Sequence, residues 1–138
     1  MEADTWHVSF EPHSVPMMRL FDRRDIEFLR SVPGYTPRGE TVFRRRRCWI
    51  FREYLAGVRA EFAGVIEEIE DLAEDSAGQQ ELASWQLRCR MQLEAAMIAA
   101  YISLLRYRWN MGSVHLTNVV QRFDAILADL RQWIPQAQ

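Results

Sequence analysis

The apolar residues between positions 48 and 72 follow alternating steps of three and four residues, and this spacing limits what the chain can fold into. The positions are Cys48, Phe51, Leu55, Val58, Phe62, Val65, Ile69 and Leu72. Steps of three and four place side chains on one face of an α-helix, whereas a strand would need steps of two. We therefore predict a long helix over 40–72 whose apolar face, the 48–72 seam, packs against other helices.

Two further segments predict helices that pair with the first one. Segment 78–109 carries apolar residues at helical spacing, and its stretch 95–105 is apolar on all sides, which is typical of a buried central helix. Gly112 is expected to end this helix, and the third helix is expected from 114 or 118 to 134. Because the connections are short, we predict an all-α fold, an antiparallel bundle of three long helices.

The first 37 residues differ in composition from the rest and are predicted to form an arm or lid on the bundle. Four of the five prolines lie there, and a short helix is expected over 22–31 with Asp22 as its N-cap. Residues 38–138 are expected to form the bundle, so that the chain makes a single domain. The apolar residues of the arm that are expected to cover the bundle are Phe10, Met17, Leu20, Phe21 and Phe28.

Composition argues against several classes of function. The chain is 49% hydrophobic with a net charge of −2, which is an ordinary globular balance. All 17 basic residues are arginine, so lysine-dependent Schiff-base and P-loop chemistry is excluded. Two cysteines and three scattered histidines predict no metal site, and no cofactor is expected. The acidic first residues and the lack of a run of about 20 apolar residues predict a cytoplasmic protein with no membrane span.

Charge is unevenly distributed along the predicted helices. Segment 61–80 is acidic, whereas antiparallel pairing of the first two helices brings the arginines of 44–52 beside those of 106–108. We call this region the basic end and predict that it could bind a polyanion such as RNA or single-stranded DNA. The candidate residues are Arg44, Arg45, Arg46, Arg47, Arg52, Arg106, Arg108, Trp49 and Trp109. The alternative is that acidic residues of the arm and helix start neutralise the cluster: Asp22, Asp25, Glu27 and Glu40.

A stripe of small residues marks a second face of the first helix. Gly57, Ala60 and Gly64 lie three and four residues apart, so they would permit close approach of another helix. Together with the 48–72 seam, they favour a non-enzymatic interaction protein that self-associates, with a two-fold homodimer as the simplest assembly. The alternative function is an arginine- and aromatic-rich module that binds nucleic acid or another polyanion.

One spacing suggests a catalytic alternative. Arg108 and His115 are separated by six residues at the junction of the second and third helices. This resembles the Arg-x(4–6)-His pattern of the HEPN ribonucleases, although Trp109 stands where that family usually has a polar residue. The resemblance implies an all-α fold, with His115 as the acid/base and Arg108 as the group that stabilises phosphate. Cys48 and Cys89 lie at helical core positions and are predicted to be buried packing residues rather than nucleophiles.

Overall fold

The structure is a computed structural model that describes residues 14–72 and 79–133. Within these ranges it is all-helical, which confirms the predicted fold class. The helices are α1 (Arg23–Ser31), α2 (Pro37–Leu72), α3 (Gln79–Arg108) and α4 (Thr117–Arg131), with a further helical stretch at 14–18. Helices α2, α3 and α4 pack against one another as the three-helix bundle. Contacts of Arg44 with Tyr107 and of Arg59 with Glu94 show that α2 and α3 are antiparallel.

Helix α2 begins at Pro37, three residues before the predicted start at position 40. The hydroxyl oxygen of Thr36 accepts a hydrogen bond from the backbone N–H of Gly39 at 3.0 Å, as an N-cap side chain does. Proline suits the first helical position because its missing N–H would have no intrahelical partner there. The Thr36–Pro37 pair therefore starts α2 directly, with Glu40 already in its first turn.

Helix α3 ends through a backbone motif centred on Asn110 and not on Gly112, as the sequence had suggested. Asn110 adopts a left-handed conformation with φ of 56°. Its N–H donates to the carbonyl of Tyr107, and the next N–H, that of Met111, donates to the carbonyl of Arg106 at 2.8 Å. These two hydrogen bonds form a Schellman motif, in which asparagine is the commonest substitute for glycine. Gly112, with φ of 88°, continues the turn that follows.

The 48–72 seam lies in the core of the bundle, as predicted. Seven of its eight residues are buried, and only Leu72 at the end of α2 is exposed. Phe51 and Phe123 are completely buried, and Tyr54 lies between them at 5.9 and 6.2 Å from their rings. Cys48 and Cys89 are buried too, as predicted, and burial raises the pKa of both thiols. The seam therefore packs against this chain's own helices.

The arm packs on the bundle through fewer residues than predicted. Leu20 and Phe21 are buried, and the ring of Phe21 stacks on Tyr107 of α3 with 4.1 Å between ring centroids. Met17 packs against the core from a partly buried position. The prediction for Phe28 was wrong, because its side chain is 72% exposed on the outer face of α1. Phe10 lies outside the described residues.

Candidate interaction surfaces

Glu40 is the centre of a buried polar cluster at the basic end. Its carboxylate accepts two hydrogen bonds from Arg30 at 2.8 Å each, one from the Tyr35 hydroxyl at 2.6 Å and one from Arg44 at 3.0 Å. These donors, Arg30 first among them, lower the pKa of Glu40 from 4.5 to about 2. Glu40 is therefore ionised at neutral pH, and its contact with Arg30 joins α1 to α2.

Arg44 connects this cluster to α3 and is only 8% exposed. Beyond Glu40, its guanidinium donates to the backbone carbonyl of Tyr107 at 2.6 Å and to Oδ1 of Asn110 at 3.3 Å. Carbonyls in the last turn of a helix lack an intrahelical partner. Arg44 is therefore a second donor to the Tyr107 carbonyl, beside the Asn110 N–H, and its hydrogen-bonding capacity is used inside the protein.

Arg47 is also bound by the arm. Its guanidinium donates to the backbone carbonyl of Leu20 at 2.8 Å and to the carboxylate of Asp25 at 2.9 Å. Asp22 and Glu27 pair instead with arginines of α1 itself. Two of the four expected acidic residues therefore neutralise members of the predicted cluster.

The remaining five arginines of the cluster make no ion pair with any described residue: Arg45, Arg46, Arg52, Arg106 and Arg108. Arg45, Arg108 and Trp109 line one cavity of about 460 Å³ together with the Glu40 cluster. The indoles of Trp49 and Trp109 are both mostly exposed, and the guanidinium of Arg108 lies 5.8 Å from the Trp109 ring. The structure thus leaves a smaller basic and aromatic surface than the sequence predicted.

Arg108 and His115 stand at opposite ends of the connection between α3 and α4. Arg108 is the last residue of α3 and is half-buried, whereas His115 is exposed just before α4. No hydrogen bond joins the two side chains within the described part of the chain. His115 lines neither the cavity around Glu40 nor the neighbouring one lined by Phe21 and Val114.

Helix α3 carries an apolar face that points away from the bundle. The prediction that 95–105 is buried on all sides was wrong, because Ile98 is 61% exposed and Ile102 and Leu105 are exposed as well. The exposed positions follow steps of four and three residues, and we call them the α3 seam: Met91, Ala95, Ile98, Ile102, Leu105 and Trp109. Counting this spacing on the side of α3 opposite its core residues would have revealed the seam from sequence.

The stripe of Gly57, Ala60 and Gly64 lies on an exposed face of α2. A Cβ atom built on Gly57 or Gly64 would meet no other atom within 4 Å. No helix of the described chain therefore approaches this face closely enough to require glycine.

We expect Gly57→Ala and Gly64→Ala each to raise the free energy of unfolding by about 0.5–1 kcal/mol, because glycine is the poorer helix former and both sites have room for a methyl group. Urea denaturation monitored by circular dichroism measures the change. Unchanged or lower stability in both variants would contradict the open space around these glycines.

Other kinds of site find little support in the described residues. Residues 14–72 and 79–133 contain no group of three or more His, Cys, Asp or Glu side chains that could hold a metal ion. In the same ranges, none of the helices has the length and apolar character needed to cross a membrane.

No family model matches the sequence, and no curated protein or solved structure is significantly similar to it. The surfaces themselves are therefore the basis for proposing a function.

Proposed function

We propose that this chain is a non-enzymatic helical-bundle protein that self-associates through the α3 seam. The observation that carries the proposal is the α3 seam itself. Its six residues are all exposed and follow steps of four and three, and the opposite face of the same helix is already packed in the core. Helices with this spacing bury the seam against a partner helix. The sequence had favoured association along α2, but the 48–72 seam is occupied by the chain's own core.

The size of the exposed surface supports association. Soluble monomers rarely present contiguous large apolar side chains, and such surfaces usually mark sites of protein contact. On α3 the exposed residues include two isoleucines, a leucine and a tryptophan within 12 residues, from Ile98 to Trp109. Trp49 of α2 is exposed as well. It lies at the level of the α3 seam, because its neighbour Cys48 contacts the α3 carbonyl of Leu104.

The test is the mass of the protein in solution with and without this surface. Sedimentation equilibrium at tens of micromolar should give a dimer for the wild type and a monomer for the double variant Ile98→Glu and Ile102→Glu. The variant should keep the helical content of the wild type, because both side chains are exposed. Phe28→Glu is the control, since Phe28 is even more exposed than the two isoleucines but lies on α1. A wild-type monomer of 16 kDa would contradict self-association.

A second candidate function is binding of a polyanion at the basic end. It is supported by Arg45, Arg108 and Trp109, which line one cavity, and by Trp49, which is exposed nearby on α2. Arginine and aromatic side chains together bind single-stranded nucleic acid through phosphate contacts and base stacking. Arg44 and Arg47 are left out of this surface because they are bonded within the protein.

This candidate predicts salt-dependent binding of single-stranded RNA or DNA. Replacing Arg45, Arg46 and Arg108 with alanine should weaken binding and reduce the slope of log K against log salt by about 0.7 for each lost phosphate contact. The control variant removes the same charge elsewhere by replacing Arg19, Arg88 and Arg122 with alanine. Fluorescence anisotropy with a short labelled RNA measures the affinity of each variant and its dependence on salt. If the two triple variants lose the same affinity for RNA, or if the wild type does not bind RNA at low salt, a specific basic site is excluded.

A further inference from the structure

We infer that two copies of this chain pair their α3 seams antiparallel, about a two-fold axis level with Ala100. The inference rests on the proposed self-association and specifies its geometry. In this register Met91 faces Trp109, Ala95 faces Leu105 and Ile98 faces Ile102 of the second copy. Every seam residue then meets another seam residue, over 19 residues and about 27 Å of helix.

The sizes of the facing residues suit this register. The smallest residue of the seam, Ala95, faces Leu105, while the flexible Met91 faces the bulky Trp109. Ile98 and Ile102 face each other twice, on either side of the axis. A small residue opposite a large one lets the two side-chain layers interdigitate.

Charge on the edge of the seam determines the direction of pairing. Glu94 and Arg108 lie on the edge of α3 that faces α2: Arg59 of α2 bonds Glu94 at 2.8 and 3.2 Å, and Arg108 shares a cavity with Arg45 of α2. In an antiparallel helix pair, residues on the same edge of each helix meet across the interface. Glu94 therefore lies beside Arg108 of the second copy, and the symmetry produces this ion pair twice.

The parallel arrangement lacks this complementarity. It would place Glu94 beside Ala99 of the second copy, so the carboxylate would gain no cationic partner across the interface. It would also bring the two basic ends together, with Arg106 and Arg108 of both copies at the same level. Like charges in that arrangement repel each other, whereas the antiparallel register separates them.

Disulfide cross-linking distinguishes the two directions. We would mix the single variants Ala95→Cys and Leu105→Cys and oxidise the mixture mildly. The native Cys48 and Cys89 are buried and therefore do not compete. The antiparallel register predicts a cross-linked dimer in the mixture and none with Ala95→Cys alone, because the two copies of position 95 would lie about 15 Å apart along the axis.

Charge reversal tests the ion pair directly. Glu94→Arg is made together with Arg59→Glu, so that position 94 keeps an oppositely charged partner within the chain. This paired change and Arg108→Glu alone should each weaken dimerisation about tenfold, and the variant that combines them should recover most of the wild-type affinity. A dimer in which Ala95→Cys cross-links to itself, or in which the combined charge-reversal variant does not recover its affinity, would overturn the antiparallel register while leaving self-association intact. A wild-type monomer would overturn both.

Discussion

Replacing Phe62 with alanine is expected to lower the free energy of unfolding by roughly 3–5 kcal/mol. Phe62 occupies the middle of the 48–72 seam and is 3% exposed. The guanidinium of Arg90 on α3 lies 5.9 Å from the centre of its ring. Removing the ring leaves a cavity between α2 and α3 that rigid helices refill only in part, and the stability of the core falls accordingly.

Phe28→Ala is the matched control for this experiment. It makes the same substitution on an exposed helix face, where changes usually alter stability by less than about 0.5 kcal/mol. Both variants are measured by urea denaturation at neutral pH. If the two substitutions lower the free energy of unfolding by similar amounts, Phe62 does not have the core role that its burial indicates.

The second large effect is expected for Glu40→Gln. This change keeps the shape of the side chain but leaves the buried guanidinium of Arg44 without its anionic partner. Breaking a buried ion pair by removing one member costs about 3–5 kcal/mol, because the remaining charge is uncompensated. The control is Glu27→Gln, which breaks an exposed pair with Arg23 and should cost about 0–1 kcal/mol.

The stability difference between wild type and Glu40→Gln should also depend on pH. The pKa of Glu40 falls from 4.5 to about 2 on folding, so its contribution is complete above about pH 4.5. It declines as the pH falls towards 2, where the folded carboxylate takes up a proton. Denaturation of both proteins between pH 7 and pH 2 measures how far their free energies of unfolding approach each other. A difference that stays constant to pH 2 would contradict the assigned role of the carboxylate.

Most of the fold follows from residue spacing alone. The steps of three and four from Cys48 to Leu72 predict α2 and its buried face, since a long periodic pattern is a strong helix signal. The end of α3 was harder to predict, because Asn110 and Gly112 both tolerate a left-handed backbone and the choice depends on which carbonyls remain unpaired.

The candidate surfaces were less accessible to sequence reasoning. An apolar stretch such as 95–105 predicts burial, but only the number and position of neighbouring helices decide which sides are covered. Two helices, α2 and α4, cover one side of α3 and leave the α3 seam exposed. Similarly, Arg44 and Arg45 are adjacent and chemically identical, yet a rotation of about 100° along the helix puts one in the core and the other in solvent.

Both ends of the bundle contain aromatic contacts, but among the described residues the buried charged side chains lie at the basic end, so the two ends should weaken under different stresses. At the basic end, the Glu40 cluster joins α1, α2 and α3 through hydrogen-bonded charges. At the other end, Trp85 of α3 and Trp133 beyond α4 lie 4.6 Å apart, an apolar contact between half-exposed rings. Cooling weakens apolar association, whereas acid removes the charge of Glu40. Cold should loosen the tryptophan end first, and acid should loosen the Glu40 end first.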